Sequence, residues 1–498
     1  MTRKTVSLLL AVCLTVVLVC TVSFTGSAAS GVLDETFTKQ MYSVKSAGAK
    51  GDGKTDDTDA IKQAVTNATK DGEGSVFFPA GTYLVNGKLT IANKAELVFA
   101  KGAILKIGAS ATFKMYGMIV AGDYQVFDVQ GKWSGFNGVA VGNPVWFGAK
   151  GDGKTDDTAA MQKAFDIFYQ VDIPYTAAGY KVTDLAISHS CRITGANREK
   201  QVKLIAAAGT QKLLTFKSSY MELYSFTLDM AAAATATSIY LQDDGVMEQN
   251  RFQDITVNDA YRAVEDKTYT GNNMVITTEF INFQCNRGKN TAFVCHGMWG
   301  FMFLKNIVVD YSASTVKMDF PAITVENNAG MIMDHVTILG NQNSTANAHG
   351  IVSNKSEAMW WSHCTVENVG GDGFRHSGSP NHWLYFLDCK AKNCGGYSYD
   401  LLGIYAISIH NCVSEGGKGI FASGTTAQIS NTTVSGSSGN GITNEAKESI
   451  FTDLTLNNNK GYGIISTANE CQLYHITGSG NTNDLVKVSG TGSQYVEE

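Results

Sequence analysis

Apolar and polar positions alternate in short runs along the second half of the chain, and the runs return at regular intervals. From about residue 220 the pattern is apolar, any residue, Asn/Asp/His, small apolar, any residue, apolar. It reads Phe252-Gln253-Asp254-Ile255, Phe280-Ile281-Asn282-Phe283, Leu304-Lys305-Asn306-Ile307 and Met333-Asp334-His335-Val336, then Trp361-Ser362-His363-Cys364, Phe386-Leu387-Asp388-Cys389 and Ile409-His410-Asn411-Cys412. It continues from Ile429, Phe451 and Leu473, at intervals of 20 to 29 residues. Period-two alternation predicts strands with one face buried. A repeat of this length predicts one solenoid coil per copy, with the core buried between stacked neighbours. Gly350-Ile351, Gly373-Phe374, Gly419-Ile420, Gly441-Ile442 and Gly463-Ile464 start a second strand after a Gly-rich turn. Ten or more coils, at roughly 4.8 Å each, make a rod on the order of 50 Å long. The Asn/Asp/His column is expected to form a ladder of side-chain hydrogen bonds at a turn.

The first half carries a different signal. Gly48 to Thr58 and Gly148 to Thr158 are the same eleven residues, GAKGDGKTDDT, one hundred positions apart. Each copy leads into apolar residues at helical spacing: Ala60, Ile61, Ala64 and Val65, then Ala160, Met161, Ala164, Phe165 and Phe168. The oxygens of Thr55/Asp56 and Thr155/Asp156 suit the first turn of a short helix. A phosphate loop is a poor reading, because acidic residues follow the Lys-Thr at once. The block, with Phe77-Phe78-Pro79-Ala80-Gly81-Thr82-Tyr83 after its first copy, resembles the pectate-lyase-like superfamily of rhamnogalacturonase/epimerase type. The resemblance covers about twenty residues per copy. It implies an all-β, right-handed parallel β-helix whose open end is plugged by the loop and helix. The expected organisation is a signal peptide over 1–29, a truncated β-helical lead domain with the first cap over 30–145, and the main β-helix with the second cap over 146–498.

Composition narrows the class. Only 17% of residues are charged, Gly is abundant at 51 and Pro scarce at 5, which suits stacked strands and tight turns. A net charge of −6 offers no basic surface for nucleic acid. Arg3 and Lys4, an apolar run from Ser7 to Phe24 and Gly26-Ser27-Ala28-Ala29 read as an export signal, so a secreted, extracellular protein without a membrane partner after cleavage is expected. An uncleaved anchor is the alternative. A lipid-modified Cys20 is disfavoured, because Val19 before it is not small. Cys364, Cys389 and Cys412 share one inward column and read as buried apolar fillers, with a disulfide as the alternative and a metal site excluded for want of converging ligands.

Three outward columns change character between residues 296 and 402. The position before the inward apolar residue is Arg251, Glu279, Ser408, Gln428 and Gln472 in outer coils but Phe303, Ile332, Trp360 and Tyr385 in the middle, with Trp383 on the same side. Phe303, Trp360, Trp383 and Tyr385 are therefore candidate sugar-stacking residues, unless another part of the protein covers them. The turn before the second strand carries His349, Asp372 and Tyr397, then Lys418, Asn440 and Tyr462. The outward position of the second strand, Val264, Val294, Thr324, Val352, Phe421 and Thr443 elsewhere, becomes Arg375 and Asp400. Asp372, Asp400, Arg375, His349, Tyr397 and Glu326 are the candidate catalytic set. Asp372 is expected to be exposed, Glu326 to lie close to His296 and His376, and His376 to point inward. The bland readings are a turn aspartate, a surface ion pair and a core histidine. Asp243-Asp244 reads as a turn pair.

Departures from the enzymes of this superfamily matter. The Asn-Thr-Asp, Asp-Asp, Gly-His-Gly and Arg-Ile-Lys set of polygalacturonases survives only as Asp243-Asp244 and Cys295-His296-Gly297. The Asp-Pro-His-Glu of alginate epimerases and the Arg-x-Pro-x-x-Arg of calcium-dependent pectate lyases are absent. The expected function is a polysaccharide-active enzyme that cleaves glycosidic bonds as a hydrolase or lyase in an outer groove. A non-catalytic glycan-binding or surface-structural rod is the alternative. No cofactor is implied, and a calcium requirement stays open.

Overall fold

The computed structural model describes residues 41–496 apart from 136–139, 197, 234, 243, 342 and 379–382. The export segment and Asp243 therefore lie outside the described residues. Apart from two short helices and one 3-10 turn, the described elements are parallel strands in a β-solenoid.

The lead segment holds three short parallel sheets. Met41–Ser43, Gly74–Phe78, Ala95–Phe99 and Met118–Val120 form one, Asp52–Asp56, Gly81–Val85, Ala103–Ile107 and Phe127–Val129 the second, and Lys88–Ile91, Thr112–Met115 and Lys132–Trp133 the third. The predicted helices are Thr58–Thr69 and Thr158–Ile167, each burying its apolar stripe: Ile61, Ala64 and Ala68 in one, Met161, Ala164, Phe165 and Ile167 in the other. The capping chemistry differs from the expectation in one respect. The aspartates hold the Gly-rich loop more than the helix. The carboxylate of Asp157 is buried and accepts the N–H groups of Lys150 at 2.6 Å and Gly151 at 3.0 Å. Asp152 accepts from Lys154 and Thr155, and only Asp156 reaches the helix, accepting the Thr158 N–H at 3.0 Å. The first copy repeats the arrangement with Asp57, Asp52 and Asp56. The second cap packs on the last lead coil through Trp133, Phe147 and Phe168, with ring centroids 6.0–6.4 Å apart.

From residue 170 each coil adds one strand to each of three parallel sheets. The first sheet runs through Arg251-Phe252, Glu279-Phe280, Phe303-Leu304, Ile332-Met333, Trp360-Trp361 and Tyr385-Phe386. The second runs through Ile255, Phe283, Ile307 and Val336. The third runs through Ile323–Glu326, Ile351–Asn354, Phe374–Ser377 and Tyr399 to Leu402. Inward residues stack on their own kind: the rings of Phe252 and Phe280 lie 4.9 Å apart, and truncating one such ring to Ala typically costs about 3–5 kcal/mol.

The Asn/Asp/His column is the corner between the first and second sheets. All ten of its residues, from Asp254 to His475, have φ between 49° and 57°. Short polar side chains tolerate this left-handed conformation because they hydrogen-bond locally. The expected ladder is present: Asn282 donates to Asp254 at 2.8 Å, Asn306 to Asn282 at 3.0 Å and Asn431 to Asn411 at 3.1 Å. Cys364, Cys389 and Cys412 continue the inward column of Val336. All eight described cysteines are buried and free of disulfides.

Candidate functional site

The third sheet and the turn that feeds it assemble five of the six candidate catalytic residues. His349, Asp372 and Tyr397 occupy the same turn in successive coils. Val352, Arg375 and Asp400 pair in register three residues later. Glycines make the turn possible. A Cβ on Gly371 would lie 2.6 Å from His349 Nδ1, and one on Gly396 would lie 2.1 Å from Asp372 Oδ1. Each polar side chain thus folds over a glycine of the next coil and caps it.

Asp372 joins the group together. Its Oδ1 accepts the Tyr397 N–H at 2.7 Å. Its Oδ2 lies 3.1 Å from His349 Nδ1 and 3.4 Å from Arg375 Nη1. Arg375 Nε lies 3.7 Å from Asp400 Oδ2, so one guanidinium spans two carboxylates. Arg375 Nη1 also faces His349 Nε2 at 3.3 Å. A neutral imidazole accepts on one nitrogen only. The Asp372 N–H donates to His349 Nδ1 at 2.9 Å, so in the neutral ring Nδ1 is the acceptor and the proton sits on Nε2. Asp372 and Asp400 are 6% and 8% exposed, whereas the Arg375 side chain is 38% exposed. The sequence placed Asp372 in the open; the glycine turn instead lets the next coil cover it.

The two carboxylates are pushed apart in acidity. Burial raises Asp372, but the His349 hydrogen bond, the Tyr397 N–H and the Arg375 charge outweigh it and hold the carboxyl below its ordinary value. Asp400 is raised, first by burial and then by the Asp372 charge, which Arg375, His349 and Lys418 only partly offset. Burial and the same carboxylates raise the Tyr397 hydroxyl, so it stays protonated and is a poor base. Lys418 Nζ lies 5.8 Å from the Tyr397 ring centroid and completes the cluster one coil further on. The sequence named Lys418 only as an ordinary turn residue, and its position in the His349–Asp372–Tyr397 column was the available signal.

Four expectations are corrected by register and burial. Glu326 pairs with Asn354, which pairs with Ser377, two residues beyond the Val352–Arg375 pair. It lies two strand spacings, roughly 10 Å, from Arg375 along the rod and does not join the Asp372 group. Its neighbour is His296 one coil earlier, whose Nδ1 lies 3.0 Å from the buried Asp266; burial raises the Asp266 carboxyl, and the hydrogen bond to Asp266 raises the His296 imidazole. His376 is inward and fully buried with Nδ1 3.0 Å from Ser353 Oγ, so the core reading of that residue stands and it is not beside Glu326 on the surface. Glu265, rather than Val264, pairs with Val294 in the outward column. Finally, Phe303, Trp360 and Tyr385 form one strip on the first sheet, with Trp383 two residues earlier on the last strand. Trp360, Trp383 and Tyr385 are exposed, and the Trp360 and Tyr385 rings stack 6.0 Å apart at 5°. The aromatic strip and the Asp372 group therefore occupy neighbouring sheets of the same coils rather than one face. Alternation along a strand reports inward against outward, but not which of three sheets a strand joins. Asp244 pairs with Lys267, as a turn residue would.

A shallow depression of about 420 Å³ borders the turn that carries Asp372, lined by Asn341, Ser344, Asn368, Val369, Gly370, Asn393, Cys394 and Gly395. No helix among the described residues is long and apolar enough to cross a membrane.

Residues 41–142 match the family described as rhamnogalacturonase A/epimerase, pectate lyase-like, which bears out the resemblance read from the repeated block. Among curated proteins, the chain is 45% identical over 71 residues to alginate lyase 7 of Azotobacter vinelandii, covering 14% of this chain and 8% of that protein. It is 47% identical over 58 residues to a probable glucan endo-1,3-beta-glucosidase of Arthroderma benhamiae, covering 12% and 6%. The matches thus span less than a tenth of those relatives. Among solved structures, the A-module of the Azotobacter vinelandii mannuronan C-5 epimerase AlgE4 aligns over 92% of this chain and 100% of its own, at 13% identity and a TM-score of 0.25.

Proposed function

We propose that this chain cleaves glycosidic bonds of a polysaccharide by hydrolysis at the third-sheet cluster, with Asp400 as the acid and Asp372 as the ionised carboxylate. The observation that carries this reading is the split acidity of two buried carboxylates spanned by Arg375. Two titratable groups driven apart by their surroundings mark the acid and base of a glycosidase pair. In the reaction, Asp400 donates its proton to the glycosidic oxygen, and the bond from that oxygen to the anomeric carbon breaks with its electrons going to the oxygen. Water adds to the anomeric carbon and loses its proton to Asp372. Arg375 holds both carboxylates in place, the Tyr397 N–H fixes the Asp372 rotamer, and His349 braces the Asp372 N–H.

A second reading has its own support. Arg375 is partly exposed and loosely held, which suits bidentate capture of a uronate carboxylate, and His349 is then a base for β-elimination. Alginate, pectin, rhamnogalacturonan and β-1,3-glucan are the substrates to assay first. New reducing ends without ultraviolet-absorbing unsaturated product support hydrolysis; unsaturated product means elimination. Wild-type activity that survives in Asp400→Asn overturns the assignment. Binding without turnover on every polysaccharide tried means a non-catalytic rod. The export reading of residues 1–29 rests on sequence, and the N-terminus of protein recovered from the medium tests it.

A further inference from the structure

We infer that the corner between the first and second sheets holds a divalent transition-metal ion, bound by His335, His363 and Asp334. The corner ladder elsewhere is built from amides and carboxylates. Where a single histidine enters it, at His475, Nδ1 simply meets Asp453 of the preceding coil at 3.0 Å. Only at His335 and His363 do two histidines follow one another. Their rings stack with centroids 4.5 Å apart at 15°, and both Nδ1 atoms converge on one oxygen, Asp334 Oδ1, at 2.9 and 3.0 Å. The three ligand atoms lie within 4.8 Å of one another. A tetrahedral zinc ion with bonds of roughly 2.0–2.2 Å needs ligand atoms roughly 3.3–3.6 Å apart, within reach of small side-chain rotations. Two imidazoles and one carboxylate suit zinc, nickel or copper rather than calcium, which takes oxygen ligands.

The outer contacts fit a bound metal ion. His363 Nε2 lies 3.4 Å from Asp388 Oδ2, and Asn411 donates to the other oxygen of that carboxylate. A neutral imidazole cannot donate to Asp334 and Asp388 together. With an ion in place of the Nδ1 proton, Nε2–H is free to donate to Asp388, the outer-shell carboxylate arrangement that orients metal-bound histidines. Ser362 Oγ donates to Asp334 at 2.9 Å and fixes its rotamer. Both histidines are about half exposed, which leaves a coordination position for water or a ligand oxygen. Trp360 and Tyr385 stand two residues before Ser362 and Leu387 on the same strands, so the ion sits beside the aromatic strip.

Untagged full-length protein, stripped with chelator, tests this. Isothermal titration with Zn²⁺ is expected to give one site per chain, and Co²⁺ is expected to give the visible absorption of a four-coordinate ion. His335→Gln/His363→Gln and, separately, Asp334→Asn are expected to weaken Zn²⁺ binding by roughly 10-fold or more. His475→Gln and Asp400→Asn are expected to bind as the wild type does, which separates this site from the proposed hydrolytic one. Absence of one-to-one binding, or equal binding by the folded double variant, overturns the assignment.

Discussion

Asp372 and Asn440 do the same structural work three coils apart. Asp372 Oδ1 accepts the Tyr397 N–H at 2.7 Å, and Asn440 Oδ1 accepts the Tyr462 N–H at 3.0 Å. Each side chain folds over a glycine, Gly396 or Gly461, and each reaches a residue three positions on, Arg375 or Thr443. The cap therefore needs an acceptor and no charge. The second carboxylate oxygen of Asp372 is what the cap leaves to chemistry.

Asp372→Asn is expected to keep the cap and lose the charge. Thermal midpoints should stay close to wild type while turnover on an identified polysaccharide falls by at least 100-fold, the usual scale for a lost acid–base group. Asp372→Ala should also lose the cap, at about 1 kcal/mol or more in urea unfolding. A catalytically normal Asn variant removes Asp372 from the mechanism.

The opposite shifts of the two carboxylates fix the sign of the pH dependence. Asp400 is raised above its ordinary 3.8, so the folded state binds its proton more tightly than the unfolded chain does, and stability is lost as pH rises from 3.8 through the folded value. Asp372 is lowered, so its contribution is present above 3.8 and lost as pH falls through its folded value. Asp400→Asn is expected to be more stable than wild type at neutral pH, with the difference closing toward pH 3.8. Activity is expected to be bell-shaped, its acid limb below 3.8 and its alkaline limb above. Denaturant midpoints across pH check the first; a neutral-pH loss of stability in Asp400→Asn contradicts it.

Asp157 is expected to matter more than Asp156 to the second cap. It is buried and accepts two loop N–H groups, whereas Asp156 accepts one backbone N–H at the surface. Asp157→Ala should cost about 2–3 kcal/mol and Asp156→Ala about 1 kcal/mol in chemical denaturation. The reverse order means that the helix, not the loop, is what these carboxylates hold.

The cysteine column is expected to be silent in the folded protein. Burial pushes Cys191 and Cys394 up to about 12 and raises Cys389 further. Thiol reagents should find these groups only after denaturation. A disulfide between Cys389 and Cys412 in native protein contradicts the filler role.

Trp360→Ala is expected to weaken binding of a glycan by about 1 kcal/mol, roughly fivefold, if the stacked Trp360–Tyr385 pair meets sugar rings. Unchanged affinity in a direct binding assay leaves the strip without that role.

By itself the sequence determined the coil. The repeat length, the period-two alternation and the Asn/Asp/His column specify stacked parallel strands and a corner, because hydrophobic burial and left-handed backbone each select residue type locally. The duplicated loop specified both caps for the same reason. The column of His349, Asp372 and Tyr397 was legible too, since coils stack in register. Tertiary structure decided the rest. The number of residues between corners sets which sheet a strand joins, and loops of unequal length hide that in the sequence. So the aromatic strip moved to a neighbouring sheet, while Glu326, on the same sheet as Arg375, left the Asp372 group because it stands two coils away and out of register, and Lys418 entered. Burial was also decided in three dimensions: Asp372 and Asp400 are both desolvated by the coils above them, and the His349 and Tyr397 contacts made by Asp372 alone, with its charge acting on Asp400, separate their acidities.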